Sequence, residues 1–137
     1  MEDARKLIDE YIEKENELKE MYSDLKCKLL DRLINILLWE NENLNAKHDI
    51  GCNGVSYYYT LHFEEDYIEF VVESSWAYGG HDVEYHNIPY EKLFYDDWKE
   101  KALLNYQKRL EEIKRNKLEQ ERKEYEKLKE KFDNNKE

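Results

Sequence analysis

The stretch YIEFVVESSWAYGGHDVEYHNIPY, from Tyr67 to Tyr90, decides the fold, because two alternating runs flank a glycine pair within it. Its first half alternates apolar with polar side chains, and the apolar set is Ile68, Phe70 and Val72. Period-two alternation of this kind is typical of a half-buried strand. The run that ends at Phe63 alternates in the same way. We therefore predict a three-stranded antiparallel meander over residues 53–88.

The register of the first hairpin follows from its apolar faces. Residues paired across antiparallel strands lie on the same face of a sheet, so the apolar sets of two neighbouring strands must oppose each other. Pairing Leu61 with Ile68 satisfies this condition. The predicted loop is then Glu64-Glu65, or the four residues around them.

The second hairpin is expected to turn at Gly79-Gly80, because a glycine pair suits a two-residue primed turn. Trp76 then faces Val83, and Tyr78 faces His81. The apolar side chains expected on the inner face of the sheet are Tyr57, Tyr59, Leu61, Phe70, Val72, Trp76, Val83 and Tyr85.

Two long helices are predicted on either side of the meander. Positions spaced alternately three and four apart from Ile8 to Trp39 are apolar at eight of ten sites, a heptad pattern that predicts a helix over 1–46. A second helical pattern starts after Pro89 and predicts one continuous helix over 90–132. At about 1.5 Å per residue that helix is far longer than a small core can cover.

These elements predict an α+β fold in a single domain, residues 1–137. The inner face of the sheet should cover the apolar ends of the helices, near Leu33, Leu37, Phe94 and Trp98. The exposed remainder of the helices should pair as a coiled coil, which makes a homo-oligomer the expected state.

Charge is distributed unevenly along the chain. The net charge is −5 over residues 1–50, −9 over residues 51–98 and +3 over residues 99–137. Lys92 is the only basic residue among the ten acids of the middle segment, which also holds eight of the twelve tyrosines. An acidic surface repels phosphate backbones and attracts basic protein surfaces, so we expect a protein partner and no direct nucleic-acid binding.

The predicted register places one acidic and aromatic set on the outer face of the sheet. The candidate partner-binding residues are Tyr58, Glu69, Glu73, Glu84 and His86. Tyrosine is enriched at protein interfaces, where it brings contact area at a low cost in entropy. We therefore predict a non-enzymatic binding protein that presents acid where DNA or RNA would otherwise bind.

The histidines do not predict catalysis. The same register aligns Ser56, Glu73 and His86, but Glu73 separates the other two, whereas a triad histidine must contact both serine and acid. His62 and His81 are expected at opposite ends of the middle strand, too far apart to share an ion. We assign no catalytic residue, no metal ligand and no cofactor.

Two other classes of function stay open. A small-ligand protein could bind a nucleotide-like molecule at the second turn, with Trp76, Tyr78, His81 and Asp82 as candidate ligand-binding residues. A structural coiled-coil assembly module would need the helices alone. Binding to a charged protein partner should weaken with salt, whereas stacking of a small ligand should not.

The motif W-A-Y-G-G from Trp76 to Gly80, followed by Ile88-Pro89, resembles uncharacterised small acidic accessory proteins of bacteriophages. The resemblance covers about fifteen residues. It implies an accessory role, such as inhibition of a host defence or regulatory protein, and it implies no catalytic residue.

The chain is expected to be soluble and cytoplasmic, in the host cytoplasm if a phage encodes it. Its charged start, MEDARKLIDEY, lacks the apolar core of a signal peptide. The apolar cluster LLDRLINILLW is interrupted by polar residues, so we predict no membrane association. Cys27 and Cys52 show no metal-binding spacing and are expected to be reduced thiols.

Overall fold

The computed structural model describes residues 1–135 and has an α+β fold. It comprises two compact units, Met1–Asp96 and a second unit that begins at Asp97. The first contains a long helix and a three-stranded antiparallel sheet, as predicted, and the second contains a long helix. Within the described residues, every helix is too short or too polar to cross a membrane. The single-domain organisation stays a prediction.

Helix α1 spans Glu2–Asn43, three residues shorter at its end than the predicted 46. Two acids in its first turn suit the positive end of the helix dipole. Its first half is exposed, and its burial begins near the sheet, where Leu33, Ile36 and Leu37 enter the core. The helix ends where Asn45 takes a positive φ of 53° and the Ala46 amide returns to the Glu40 carbonyl.

The sheet has the order β1-β2-β3, with β1 at Ser56–Phe63, β2 at Tyr67–Trp76 and β3 at Gly80–Pro89. In the first hairpin Phe63 pairs with Ile68, and Leu61 pairs with Phe70. The predicted pairing of Leu61 with Ile68 is therefore wrong by two residues. Because two residues are one full period of a strand, the predicted faces of β1 and β2 are correct.

The second turn differs from its prediction. Ala77–Gly79 form one turn of 3₁₀ helix, so Trp76 pairs with Gly80 instead of Val83. Positive φ falls on Tyr78 and Gly79, at 68° and 76°, whereas Gly80 is ordinary at −65°. A primed Gly79-Gly80 turn is wrong because the left-handed conformation starts one residue earlier, on a tyrosine. Gly80 is needed for space instead, since the Trp76 indole lies where its Cβ would be.

This shift of three residues reverses the faces of β3. An odd shift in register moves every side chain of a strand to the opposite face. Val83 and Tyr85, predicted inside, lie on the outer face with Val71 and Glu73. Their places on the inner face are taken by Glu84, His86 and Ile88, which pair with Val72, Phe70 and Ile68 respectively.

The core of the first unit lies between the inner face of the sheet and the second half of α1. Its buried apolar side chains are Leu33, Ile36, Leu37, Ile50, Leu61, Ile68, Phe70, Val72, Ile88 and Leu93. Val71 is also buried, although it lies on the outer face of the sheet. The free edge of β1 is also held by α1, because the Leu61 amide donates a 3.0 Å hydrogen bond to the Tyr22 hydroxyl. Tyr22 meets Phe63 edge to face at 6.4 Å. A covered edge offers fewer amides to a foreign strand.

The predicted helix over 90–132 is interrupted. Helix α2 spans Tyr90–Phe94, and Tyr95 is extended, with φ −129° and ψ 152°. Helix α3 then runs over Trp98–Asn134. The break coincides with Asp96 and Asp97, since aspartate is less favourable in helix interiors than in turns, but Asp97 makes no capping hydrogen bond to α3. In α2, Leu93 is buried and the predicted Phe94 is exposed.

Candidate binding surfaces and a histidine–carboxylate cluster

The outer face of the sheet carries part of the predicted partner-binding set. Tyr58 pairs directly with Glu73, and Glu69 lies four residues before Glu73 on the same face of β2. Tyr85 of β3 lies diagonally between the two glutamates, within reach of a long side chain. Tyr58 and Tyr85 are 62% and 68% exposed. We call Tyr58, Glu69, Glu73 and Tyr85 the outer face patch.

Tyr58 is partly ordered by α1. The ammonium group of Lys26 lies 5.1 Å from the centre of the Tyr58 ring, within the range of a cation–π contact. Lys26 of α1 thus contacts one face of the Tyr58 ring, and 62% of the Tyr58 side chain remains exposed to solvent. A tyrosine that is already oriented loses less rotamer entropy when it meets a partner.

Glu84 and His86 do not belong to this patch. Both lie on the inner face of β3, because Glu84 pairs with Val72 and His86 with Phe70. Their side chains are only 26% and 13% exposed. The predicted row of Ser56, Glu73 and His86 is likewise wrong, since Ser56 pairs with Ser75.

The predicted ligand-binding residues surround the second turn. Tyr78 is fully exposed and Trp76 is half-exposed, packed over Gly80. His81 is exposed on the outer face opposite Ser75, whereas Asp82 uses its carboxylate to accept a 2.9 Å bond from the Val83 amide.

The recess nearest this turn is small. It reaches from Tyr57 and Tyr58 to His81 and has a volume of about 150 Å³. Drug-sized ligands occupy clefts of roughly 300–1,000 Å³. Trp76 and Tyr78 do not line the recess. Of the four turn residues, His81 alone lines this recess, which is smaller than a typical ligand cleft.

A polar network joins the loop after α1 to the sheet. Asp49 accepts a 2.6 Å hydrogen bond from the Ser74 hydroxyl and a 3.0 Å bond from the Tyr57 hydroxyl. Tyr57 in turn accepts a 3.1 Å bond from the Cys52 amide. Ser74 is the one buried polar residue of the described chain, at 2% exposure. Burial raises the pKa of Tyr57 above its ordinary value, and the Cys52 side chain and Asp49 raise it further, whereas the bond from the Cys52 amide acts in the opposite direction. Tyr57 therefore stays a neutral donor.

Next to this network lies a cluster of His48, Glu84 and His86, which we call the His48 cluster. One donor atom from each residue lies within 4.8 Å of the other two. The Glu84 carboxylate is 3.0 Å from His86 Nε2, and the rings of His48 and His86 meet edge to face at 4.8 Å. Two histidines and a carboxylate thus converge in a half-buried position.

The backbone around the cluster is firmly held. The Asn41 side chain bonds both the amide and the carbonyl of His48, at 2.8 and 3.0 Å. The Asp49 amide donates to both carboxylate oxygens of Glu84, at 3.1 and 3.2 Å. These bonds connect the end of α1, the following loop and β3. The cluster is therefore positioned by main-chain contacts from two sides.

The electrostatics of the cluster favour a neutral His86. Burial lowers the pKa of His86 below its ordinary value, and the charge of His48 lowers it further. The carboxylates of Glu84 and Glu40 act in the opposite direction but are outweighed. A neutral imidazole keeps a lone pair that can bind a proton or a metal.

The contribution of the loop after α1 was not predicted. Asn41, His48 and Asp49 lie in the segment 40–54, whose asparagines, aspartate and glycines indicate no more than the end of a helix. A useful pattern was present in β3, where Glu84 and His86 are two residues apart and share one face. Combining that pair with His48 requires the tertiary fold.

The comparisons with known proteins gave no relatives, as neither a family model, nor a curated protein, nor a solved structure matches this chain.

Proposed function

We propose that the protein is a non-enzymatic binding protein whose outer face patch binds a basic protein surface. The observation that supports this proposal most is the arrangement of the patch itself. Two exposed tyrosines, Tyr58 and Tyr85, lie next to two carboxylates, Glu69 and Glu73, on a regular sheet. Aromatic contact area combined with charge is typical of residues that dominate protein interfaces.

The charge of the strand segment supports the choice of partner. Residues 51–98 carry a net charge of −9, with Lys92 as the single basic residue. A basic groove that normally holds DNA or RNA is complementary to such a surface, whereas nucleic acid itself is repelled. The proposed partner is therefore a nucleic-acid-binding protein. The resemblance to phage accessory proteins favours a host defence or regulatory protein as the target.

The proposal is tested by reversing charge on the patch. Glu69→Lys with Glu73→Lys should keep the helicity and melting temperature, because both residues lie on the solvent side of the sheet. Immobilised parent protein should retain one or more basic proteins from a bacterial lysate, and double-stranded DNA should elute them. The double variant should retain none of these proteins.

A matched control separates the patch from net charge. Glu10→Lys with Glu17→Lys makes the same change in charge on the exposed half of α1. This control should retain the same proteins as the parent. Raising the salt to about 0.5 M should release them, because interactions between exposed charges are screened within a few ångströms at that salt concentration. Equal retention by both double variants would show that the patch only keeps the protein in solution.

Self-assembly through the helices is a second candidate function. The first half of α1 exposes an apolar stripe, and its members are Leu7, Ile8, Tyr11, Ile12, Leu18 and Met21. Residues 2–21 carry a net charge of −4, whereas residues 98–134 of α3 carry +3. We propose that the stripe binds α3 of a second copy of this chain, because pairing α1 with α1 would oppose like charges.

A small-ligand function receives less support. The turn residues Trp76, Tyr78, His81 and Asp82 are dispersed, and the recess nearest them is about 150 Å³. A nucleotide there would contact one exposed ring at a time. The salt dependence of the retained complex also distinguishes this alternative, since stacking on Tyr78 would survive about 0.5 M salt.

A further inference from the structure

The His48 cluster has the donor atoms of a metal site. We propose that His48, Glu84 and His86 bind one divalent transition-metal ion of the zinc class. Two imidazoles with one carboxylate are a ligand set that zinc accepts in proteins. The three donor atoms lie within 4.8 Å of one another. The proposed role is structural: the ion ties the loop after α1 to β3.

An unsatisfied atom in the cluster supports this assignment independently. His48 Nε2 is fully buried and has no hydrogen-bond partner among residues 1–135. A buried polar atom without a partner is costly and rare in folded proteins. The closest acid to it is Glu40, whose Oε2 lies 3.8 Å away, within the range of an ion pair but too far for a hydrogen bond. A metal ion would satisfy His48 and could take Glu40 as a fourth ligand.

The spacing requires an adjustment of the side chains. Tetrahedral zinc binds histidine nitrogen and carboxylate oxygen at about 2.0–2.2 Å, which holds its ligand atoms roughly 3.4 Å apart. Glu84 Oε1 and His86 Nε2 are already 3.0 Å apart. The widest pair, at up to 4.8 Å, must therefore close by about 1.4 Å. Rotation of the half-buried side chains can achieve this without a change of backbone.

The surroundings of the cluster resemble the outer shell that orients metal ligands. The Asp49 amide donates to both oxygens of Glu84 and thereby fixes the carboxylate plane. The Asn41 side chain accepts a hydrogen bond from the main-chain amide of His48 and donates one to the main-chain carbonyl of His48. Loss of such outer contacts typically weakens metal binding by about 10–100-fold. The cluster thus has both donors and the means to hold them.

The test is a titration of the full chain with zinc chloride, in which isothermal calorimetry measures the affinity and the number of ions bound. Cys27 and Cys52 are exposed thiols that can bind zinc, so both are first replaced by serine. One ion per chain is expected, with a rise in melting temperature. Cobalt chloride should give the visible absorption of a tetrahedral or five-coordinate site in the same protein.

Matched histidine variants locate the ion. His48→Ala and His86→Ala should each weaken binding by at least about 100-fold, more than loss of an outer contact. His62→Ala and His81→Ala remove exposed histidines elsewhere on the sheet and should leave the affinity unchanged. Glu84→Gln, which keeps the shape of the side chain, should also weaken binding if circular dichroism shows a folded protein.

Two results would overturn the proposal. One is a cysteine-free protein that shows no stoichiometric binding of zinc or cobalt. The other is binding that His48→Ala leaves intact, because the ions would then belong to the acidic surface. Both results are independent of the outer face patch, which lies on the opposite side of the sheet.

Discussion

Replacing Ile8 and Leu18 by aspartate is expected to reduce the mass seen by light scattering to that of one chain, 16.9 kDa. The two side chains are 57% and 64% exposed in the single chain and lie on the stripe of α1. Burying an isoleucine or leucine contributes about 1.5–3 kcal/mol, so four such sites in a dimer contribute roughly 6 kcal/mol or more. Losing that amount weakens association by about four orders of magnitude.

The control for this variant keeps its charge and moves it off the stripe. Asn16→Asp with Ser23→Asp also adds two negative charges to exposed positions of α1. It should have the same mass as the parent. A parent that is already 16.9 kDa at every concentration tested would contradict self-assembly. An oligomer that both variants preserve would place the interface outside the first half of α1.

The predictable parts of the fold are those with long, consistent periodicity. Helix α1 and the strands β1 and β2 each follow one apolar pattern, and their faces were predicted correctly. An error of two residues in the first hairpin left these faces unchanged, because it equals the period of a strand. For α1, β1 and β2, periodicity thus indicated which side is buried, but not where the loops begin.

The register of β3 could not be predicted from the glycine pair. The positive φ of the turn falls on Tyr78 and Gly79. A tyrosine in the left-handed region is unfavourable on its own, so sequence rules assign that conformation to Gly80. The indole of Trp76 lies over Gly80 and uses the space that a glycine provides. Tertiary contact therefore outweighed the local preference and moved Glu84 and His86 to the inner face.

The His48 cluster could not be predicted from the sequence, because the predicted register of β3 was wrong. Glu84 and His86 were predicted to face solvent, where they would form part of an acidic surface. The corrected register directs them towards the loop that carries His48. A burial pattern alone would not find them, because polar residues on the inner face of a strand contradict the usual alternation.

Removing the carboxylate of Asp49 is expected to destabilise the first unit strongly. Asp49→Ala deprives two hydroxyl groups of their acceptor, those of Ser74 and Tyr57. Hydrogen bonds to a charged group contribute about 1.5–3 kcal/mol, and a buried donor left without a partner costs about 1–3 kcal/mol. We expect a loss of about 2–4 kcal/mol in the free energy of unfolding, a large share of the roughly 5–15 kcal/mol typical of a domain. Urea denaturation followed by circular dichroism measures it.

Graded variants identify the hydrogen bonds as the cause. Asp49→Asn keeps one acceptor oxygen and should lose less stability than Asp49→Ala. Asp9→Ala removes an exposed acid from α1 and should change the free energy of unfolding by less than about 0.5 kcal/mol. Once Ser74 is alanine, no buried hydroxyl is left at that position, so the further change Asp49→Ala should cost less than it does in the parent. Strict additivity of the two changes would mean that Asp49 stabilises the loop by another route, such as its contact with Tyr57 alone.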